Sequence, residues 1–411
     1  MTFVDLYYKT LKESIKTGRA PEIRPEYDEK HIDCLLNPET YSAVVKVGKC
    51  TCEEEKEIDC IAQCIFGAMT KDESGDIIID KEKCTGCTAC IDHCKENNIA
   101  ESKEALSALY SIRESEGPVY ALIAPAFIGQ YSKDVTPGKL RTAFKKIGFD
   151  GMLEVALFAD VLTLKEALEF DKNIVTDNDY QLTSCCCPLW IAMIRRIYNE
   201  LMPHVPGSVS PMIASGRTVK YIHPDATNIF IGPCVAKKAE AKEKDINDAI
   251  DHVLTFQEMK DIFDFAGIDP AKCEESQKDH SSKAGRIYAR TGGVSEAVQN
   301  TLKKINPNRH ISIRTKQAEG VPQCRELIKN IQAGKAKENF FEGMGCVGGC
   351  VGGPKIMINR EEGRVHVNEY GETATYETPI DNPYVIELLE RLGFKTIEDL
   401  LEDSDIFTRN F

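Results

Sequence analysis

The sequence predicts an α/β domain built on parallel strands, preceded by a small, cysteine-dense α+β module. Three observations carry this. Eight of the 17 cysteines fall between Cys50 and Cys94. After residue 118, short runs that are apolar on both faces alternate with helical segments, the signature of buried parallel strands and their crossovers. The remaining cysteines include tight groups at Cys185–Cys187 and Cys346–Cys350, the second among glycines. A chain of 411 residues exceeds one small core. The expected division is a helical extension over 1–48, the cysteine-rich module over 49–117 and the α/β domain over 118–411.

Met1 to Lys16 is amphipathic and carries acids, which does not read as a signal peptide. Glu114-Ser115-Glu116-Gly117-Pro118 reads as a linker or turn. Val119 to Ile123 is a continuous apolar run stopped by Ala124-Pro125, and Asn228-Ile229-Phe230-Ile231 repeats the pattern before Gly232-Pro233-Cys234. Val161, Leu164 and Leu168 fall on one helical face. Thr255-x-x-Glu258 has the form of a capping box. Asn382 as N-cap, Pro383 at the first helical position and Gly393 at the end bracket a last helix.

Composition excludes several functions. A net charge of −14 argues against nucleic acid and against an anionic membrane surface. No apolar run approaches the length that crosses a bilayer. Seventeen cysteines without a signal sequence point to metal binding in a reducing cytoplasm rather than to disulfides. An acidic redox partner would need a locally basic patch.

Cys84-x2-Cys87-x2-Cys90-x3-Cys94 is the spacing of bacterial ferredoxins, whose fourth cysteine reaches the other cluster. The partner set, Cys50-x-Cys52-x7-Cys60-x3-Cys64, is looser. Crossed ligation gives one [4Fe–4S] cluster Cys50, Cys52, Cys60 and Cys94, and a second Cys64, Cys84, Cys87 and Cys90. Cys34 is either a substitute ligand or, as isolated cysteines usually are, a small buried hydrophobe. Two cubanes on an acidic chain mean electron transfer, and the second half must supply the chemistry.

Three segments do so: Thr183-Ser184-Cys185-Cys186-Cys187-Pro188-Leu189-Trp190, Gly232-Pro233-Cys234-Val235-Ala236-Lys237-Lys238-Ala239-Glu240, and Phe341 to Pro354 with Cys346 and Cys350. Together they resemble the three signature motifs of the [FeFe]-hydrogenase catalytic domain. Ala124-Pro125-Ala126, Ser210-Pro211, Thr291-Gly292-Gly293 and Asn382-Pro383 follow in family-like order. The resemblance spans residues 50 to about 390. It implies two lobes around parallel sheets and an H-cluster, a cubane linked to a two-iron unit bearing CO, cyanide and a dithiolate. It assigns the cubane to Cys187, Cys234, Cys346 and Cys350, with Cys350 bridging to the two-iron unit. Lys237 would pair with a cyanide, the alternative being a local surface ion pair with Glu240. Pro125, Ala126, Ser210, Met344 and Glu240 would lie around the cofactor. Glu166 and Glu169 match the family's proton path, and Cys186 its final thiol donor. The implied reaction is 2H⁺ + 2e⁻ ⇌ H₂, with ferredoxin or flavodoxin as electron partner and maturation proteins to install the two-iron unit.

Some positions depart from the pattern. Three cysteines precede Pro188 where the family has two. Counting back from Pro188 makes Cys187 the ligand and Cys186 the donor; counting forward from Thr183 makes them Cys186 and Cys185. The resemblance favours the first, since the spacing from Glu166 to Cys186 then matches the family without a gap. Gly232 and Met212 stand where the family has methionine and glutamine, Gly345 where it has alanine, and a path serine is replaced near Pro206, with Ser208 a stand-in. Cys273 and Cys324 match no motif and read as structural. A hydrogen sensor is a rival, but the roughly 48 residues before Cys50 leave little room for a sensory domain. An iron–sulfur assembly protein is another, weighed against by Lys237 and Met344.

Overall fold

The structure is a computed structural model and describes residues 1–50, 52, 59–183, 186–276, 278–402 and 404–411. The N-terminal amphipathic segment forms the helix Phe3–Thr17, started by a Thr2/Asp5 capping box. Its apolar face, Phe3, Leu6, Tyr7 and Leu11, joins the large core of the α/β domain. Strands β1 (Val44–Lys46), β2 (Met69–Lys71), β3 (Ile77–Ile79) and β4 (Ile99–Glu101) make two antiparallel pairs, β1 with β4 and β2 with β3. Val44, Met69, Ile77 and Ile99 enclose a small separate cluster with Cys60 and Cys90. Hydrogen bonding therefore ties Val44–Lys46, ahead of the boundary drawn at residue 48, to the strand that follows the last cysteine of the module.

The double-sided apolar runs are central strands. β5 (Val119–Ile123) pairs in parallel with β6 (Gly151–Glu154) and with β8 (Thr227–Gly232), and β8 with β9 (His252–Thr255), giving the order β6-β5-β8-β9. β7 (Gln181–Leu182), β10 (Thr315–Glu319) and β11 (Phe340–Met344) form a second parallel sheet, β10-β11-β7. A second apolar core, centred on Leu182, Trp190, Ile194, Ile328 and Phe341, covers part of the second sheet, while Phe340 and Met344 of β11 join the large core of the first. These are the two lobes around parallel sheets that the motifs imply. Helix Phe256–Phe265 carries the Thr255/Glu258 capping box. Asn382 caps Pro383–Arg391, and Gly393 follows that helix at φ +92. Among the described residues no helix is long and apolar enough to cross a membrane.

Helix Ala156–Asn173 contains Val161, Leu164 and Leu168, but it is not amphipathic in use. It is buried on almost every face, including Asp160, Thr163 and Glu166. Asp160 accepts hydrogen bonds from the backbone N–H groups of Ser282 and Gly285 and from the Ser282 hydroxyl, which satisfies its buried carboxylate.

A second polar network crosses the interior. Glu101 lies 2.5 Å from Lys103 Nζ and 2.8 Å from Lys355 Nζ. Burial pushes its carboxyl up, but the two lysines outweigh burial and hold it at about 2. Two outcomes follow. A depressed carboxyl adds stability that is present above the unfolded-state value of 4.5 and lost as pH falls toward 2. The parent's urea midpoint should therefore fall more steeply over that range than that of Glu101→Gln, and parallel slopes would count against the pairing. In β11, a Cβ on Gly343 would sit 2.1 Å from the Trp190 ring. Gly343→Ala should cost about 1–3 kcal/mol in urea denaturation.

Candidate active site

The eight cysteines of the front module fall into two sets. Gly86 and Thr88, both at positive φ, coil the Cys84–Cys90 loop back on itself. Burial pushes the Cys90 thiol up to about 12, and Cys87, Cys84 and Cys64 add to this. Cys84 and Cys87 likewise feel Cys64. In the other set, burial pushes Cys60 up, with Cys94 and Cys52 contributing. Cys50 is raised by burial, opposed by Lys46 and reinforced by Asp76, Cys52 and Cys94. These influences run among the residues that crossed ligation would group, Cys64 with Cys84, Cys87 and Cys90, and Cys94 with Cys50, Cys52 and Cys60.

The second site lies where loops from both sheets meet. Cys187 is the N-cap of helix Pro188–Ile197, whose start Pro188 favours. Cys234 follows the end of β8 and precedes helix Ala236–Glu240. Cys346 follows β11, and Cys350 opens the turn Cys350–Gly352. The glycines between them let backbones touch. A Cβ on Gly349 would lie 2.8 Å from Thr291 N, and one on Gly352 1.8 Å from Val347 O. Gly345 N–H donates to Cys187 Sγ at 3.2 Å. Burial raises Cys234 to about 11 and Cys350 to about 12, and each also feels Cys187. Cys346 is pushed well up by burial and by Cys234, Cys187 and Cys350.

Four part-buried thiols close to one another are a poor place for bare thiolates and a good one for a polycation that displaces their protons. Among the described residues no three His, Cys, Asp or Glu side chains close on one metal ion. A cavity of about 320 Å³ is bounded instead by Cys187, Cys234, Cys346 and Cys87. The donor chemistry fits an iron–sulfur cluster held by Cys187, Cys234, Cys346 and Cys350, of which the first three line the cavity.

Lys237 is buried beside this set, 2.6 Å from Glu240. The local ion pair is present, but it is interior rather than on the surface. Burial pushes the Lys237 ammonium down, and Glu240, Cys234 and Cys350 more than restore it. Cys186 is buried, its Sγ 4.0 Å from Met344 Sδ. Burial drives its thiol well above the ordinary range, with Cys187, Glu342, Cys350 and Glu166 adding to it. Cys185, the alternative donor, lies outside the described residues.

Glu166 and Glu169 sit on helix Ala156–Asn173 and are both buried, not on an exposed acidic face. Burial raises the Glu169 carboxyl, opposed by Lys165, which is 2.5 Å away. Pro125 and Ala126 begin the turn at the carboxyl end of β5, and Ser210 caps helix Pro211–Ile222 ahead of β8. All three therefore lie at the sheet edge where β8 delivers Cys234. Ser208 is buried, and its hydroxyl has no hydrogen-bond partner among the described residues. Cys324, read as structural, is buried and donates to Met344 O at 3.4 Å.

One residue of the site went unassigned in the sequence reading. Glu342, in the fully buried β11, accepts from Gly292 N, Ser295 N and the Ser295 hydroxyl at 2.7–2.8 Å. Its field reaches Cys186 and Cys350. A lone acid in the apolar run Phe340 to Met344 was the available signal.

The comparisons agree with this geometry. The Iron hydrogenase 1 of Clostridium pasteurianum is 31% identical over 290 residues, 61% of this chain and 49% of that protein. The chain thus spans about half the length of that relative. The periplasmic [Fe] hydrogenase large subunit of Nitratidesulfovibrio vulgaris is 27% identical, covering 68% of this chain and 86% of that one. A probable cytosolic Fe–S cluster assembly factor of Dictyostelium discoideum is 22% identical over 60% of the chain and 66% of its own length. Among solved structures, the [FeFe]-hydrogenase HydA(deltaEFG) superposes with a TM-score of 0.62 at 22% identity, over 75% of this chain and 98% of that one. A model of the family "Iron only hydrogenase large subunit, C-terminal domain" matches residues 117–354. That range holds both sheets' central strands and all four converging thiols, and the chain belongs to this family.

Proposed function

We propose that this chain is a hydrogenase that interconverts protons and H₂ at an H-cluster. On this reading electrons reach it through two [4Fe–4S] clusters in a ferredoxin-like front module, from ferredoxin or flavodoxin in the cytoplasm. Maturation proteins would install the two-iron unit. The observation that carries the reading is the four-thiol set of Cys187, Cys234, Cys346 and Cys350 with a buried cation, Lys237, and an extra thiol, Cys186, beside it.

When bound, the H-cluster supplies the iron at which protons and electrons combine. The protein's part is positioning, charge balance and proton delivery. Lys237 offers a desolvated positive charge next to Cys234 and Cys350, where an anionic group would be stabilised. Cys186 lies outside the four-thiol set but within reach of its edge, so it is free to hold a proton. Glu166 is close enough to influence Cys186, and Glu169 is one turn further along the same helix. That row leads from the cluster edge toward the helix end, and buried carboxyls at such spacing relay protons.

A second reading, iron–sulfur assembly, is supported by the similarity to the Dictyostelium factor. Lys237 favours the hydrogenase: held at the thiol set by Glu240, it places a buried ammonium where an anionic group of the cofactor would be stabilised.

The test is hydrogen evolution from reduced ferredoxin by maturated protein, with two variants. Cys187→Ser should lose cubane iron. Cys186→Ala should keep its iron and lose turnover by about 10²–10⁴-fold, the usual worth of a proton donor. A Cys186→Ala protein that lost iron, with an iron-replete Cys187→Ser, would make Cys186 the ligand and Cys185 the donor, the register counted from Thr183. Absence of hydrogen evolution from a fully maturated parent would favour the assembly reading.

A further inference from the structure

The four residues that leave β4, Glu101-Ser102-Lys103-Glu104, are all buried. Three of them are charged, and each must find partners inside the protein. Glu101 holds Lys355, the residue after Pro354 of the third cysteine motif, at 2.8 Å. Glu104 accepts from Val253 N at 2.8 Å, and its own N–H donates to Glu258 at 2.7 Å. Glu258 in turn holds Lys238 at 3.0 Å, and Lys238 is 3.9 Å from Glu104. Lys238 lies four residues beyond Cys234. One short segment therefore grips the chain just after Cys234 and just after Cys350, while its other end is the strand that closes the front module.

These grips surround a close backbone contact. Gly86, between Cys84 and Cys87, has φ +68, and a Cβ there would lie 2.8 Å from Val235 O and 2.9 Å from Ala236 Cα. At Gly86 the Cys84–Cys87 loop therefore meets the loop that starts at Cys234 backbone to backbone. The two sites are near enough that Cys87 influences Cys346. Arg196 adds a further tie, donating to Lys83 O at 2.9 Å.

We propose that Glu101 and Glu104 are positioning residues for electron transfer, a clamp that holds the Cys84–Cys87 loop against Val235 and Ala236 and so sets the gap between the inner and catalytic thiol sets. This rests on the reading that both sets hold clusters. Buried ion pairs are weak devices for stability compared with apolar packing, but they fix register well. Register matters here because electron exchange between metal centres falls steeply with separation. An apolar interface could slide by fractions of an ångström at little cost. A segment that must satisfy Lys355 and Lys238 together cannot.

The test uses the full chain reconstituted anaerobically with iron and sulfide only, without the two-iron unit. The dithionite-reduced protein is examined by electron paramagnetic resonance, with iron and sulfide counted on the same sample. The parent should show signals broadened by magnetic coupling between neighbouring reduced cubanes. The paired variant Glu101→Gln/Lys355→Met breaks the Glu101–Lys355 grip, leaves an amide oxygen to accept from Lys103, the other partner of Glu101, and leaves every thiol untouched. Gly86→Ala wedges a methyl group into the contact itself. Both should weaken the coupling at least twofold, and the paired variant should retain the parent's iron content. Parent-like coupling in both variants would overturn the proposal. So would loss of iron from the paired variant, since the grip would then serve cluster retention rather than spacing. A parent chain that binds fewer than three cubanes would instead overturn the cluster reading.

Discussion

The structure is organised around the convergence of four thiols, at which burial and mutual proximity oppose the formation of bare thiolates. Cys187, Cys234, Cys346 and Cys350 come from three loops, and Cys187 disfavours a thiolate at each of the other three, as Cys234 does at Cys346 and Cys350. A fold holds such a set together only by fixing the loops from outside, because the thiols do not attract one another. Two parallel sheets do this. Parallel strands end at one edge, and the crevice beyond their carboxyl ends is where α/β folds place ligands. β8 delivers Cys234 there and β11 delivers Cys346 and Cys350, while helix Pro188–Ile197 presents Cys187 at its start. The glycines of the third motif are a consequence: loops packed this closely have no room for Cβ atoms at Gly349 and Gly352.

The same constraint explains the buried charges. A site that gathers negative charge needs interior cations, and Lys237 sits against Cys234 and Cys350 while staying tied to Glu240. Glu342 is spent on the N–H groups at the start of helix Gly293–Ile305, which joins the third motif's strand to the neighbouring layer. The network of Glu101, Glu104, Lys238, Glu258 and Lys355 then fastens the front module to the loops that carry the thiols.

Much of this was legible in the sequence, for physical reasons that differ by element. β5 and β8 were readable because both faces of a central parallel strand are apolar. The cysteine groups were readable because ligand spacing is a local property. The capping box at Thr255 and the brackets of the last helix were local too. β10, Thr-Lys-Gln-Ala-Glu, was not readable: it is a half-covered edge strand with one apolar residue. The acidic pair Glu166 and Glu169 gave no sign of burial, because what covers a helix's polar face is decided by elements distant in sequence. The same holds for the clamp, whose partners lie some 150 residues or more from Glu104 and Glu101. No local pattern reports such pairs.

The central claim is that the converging thiols form the socket of a six-iron cofactor, with Cys350 joining its two parts. Infrared spectroscopy of maturated protein tests this most directly, because metal-bound CO and cyanide absorb where protein does not. The account predicts these bands in the parent and their loss in Cys350→Ser. A maturated parent without the bands, or a Cys350→Ser protein that keeps them unchanged, would contradict it.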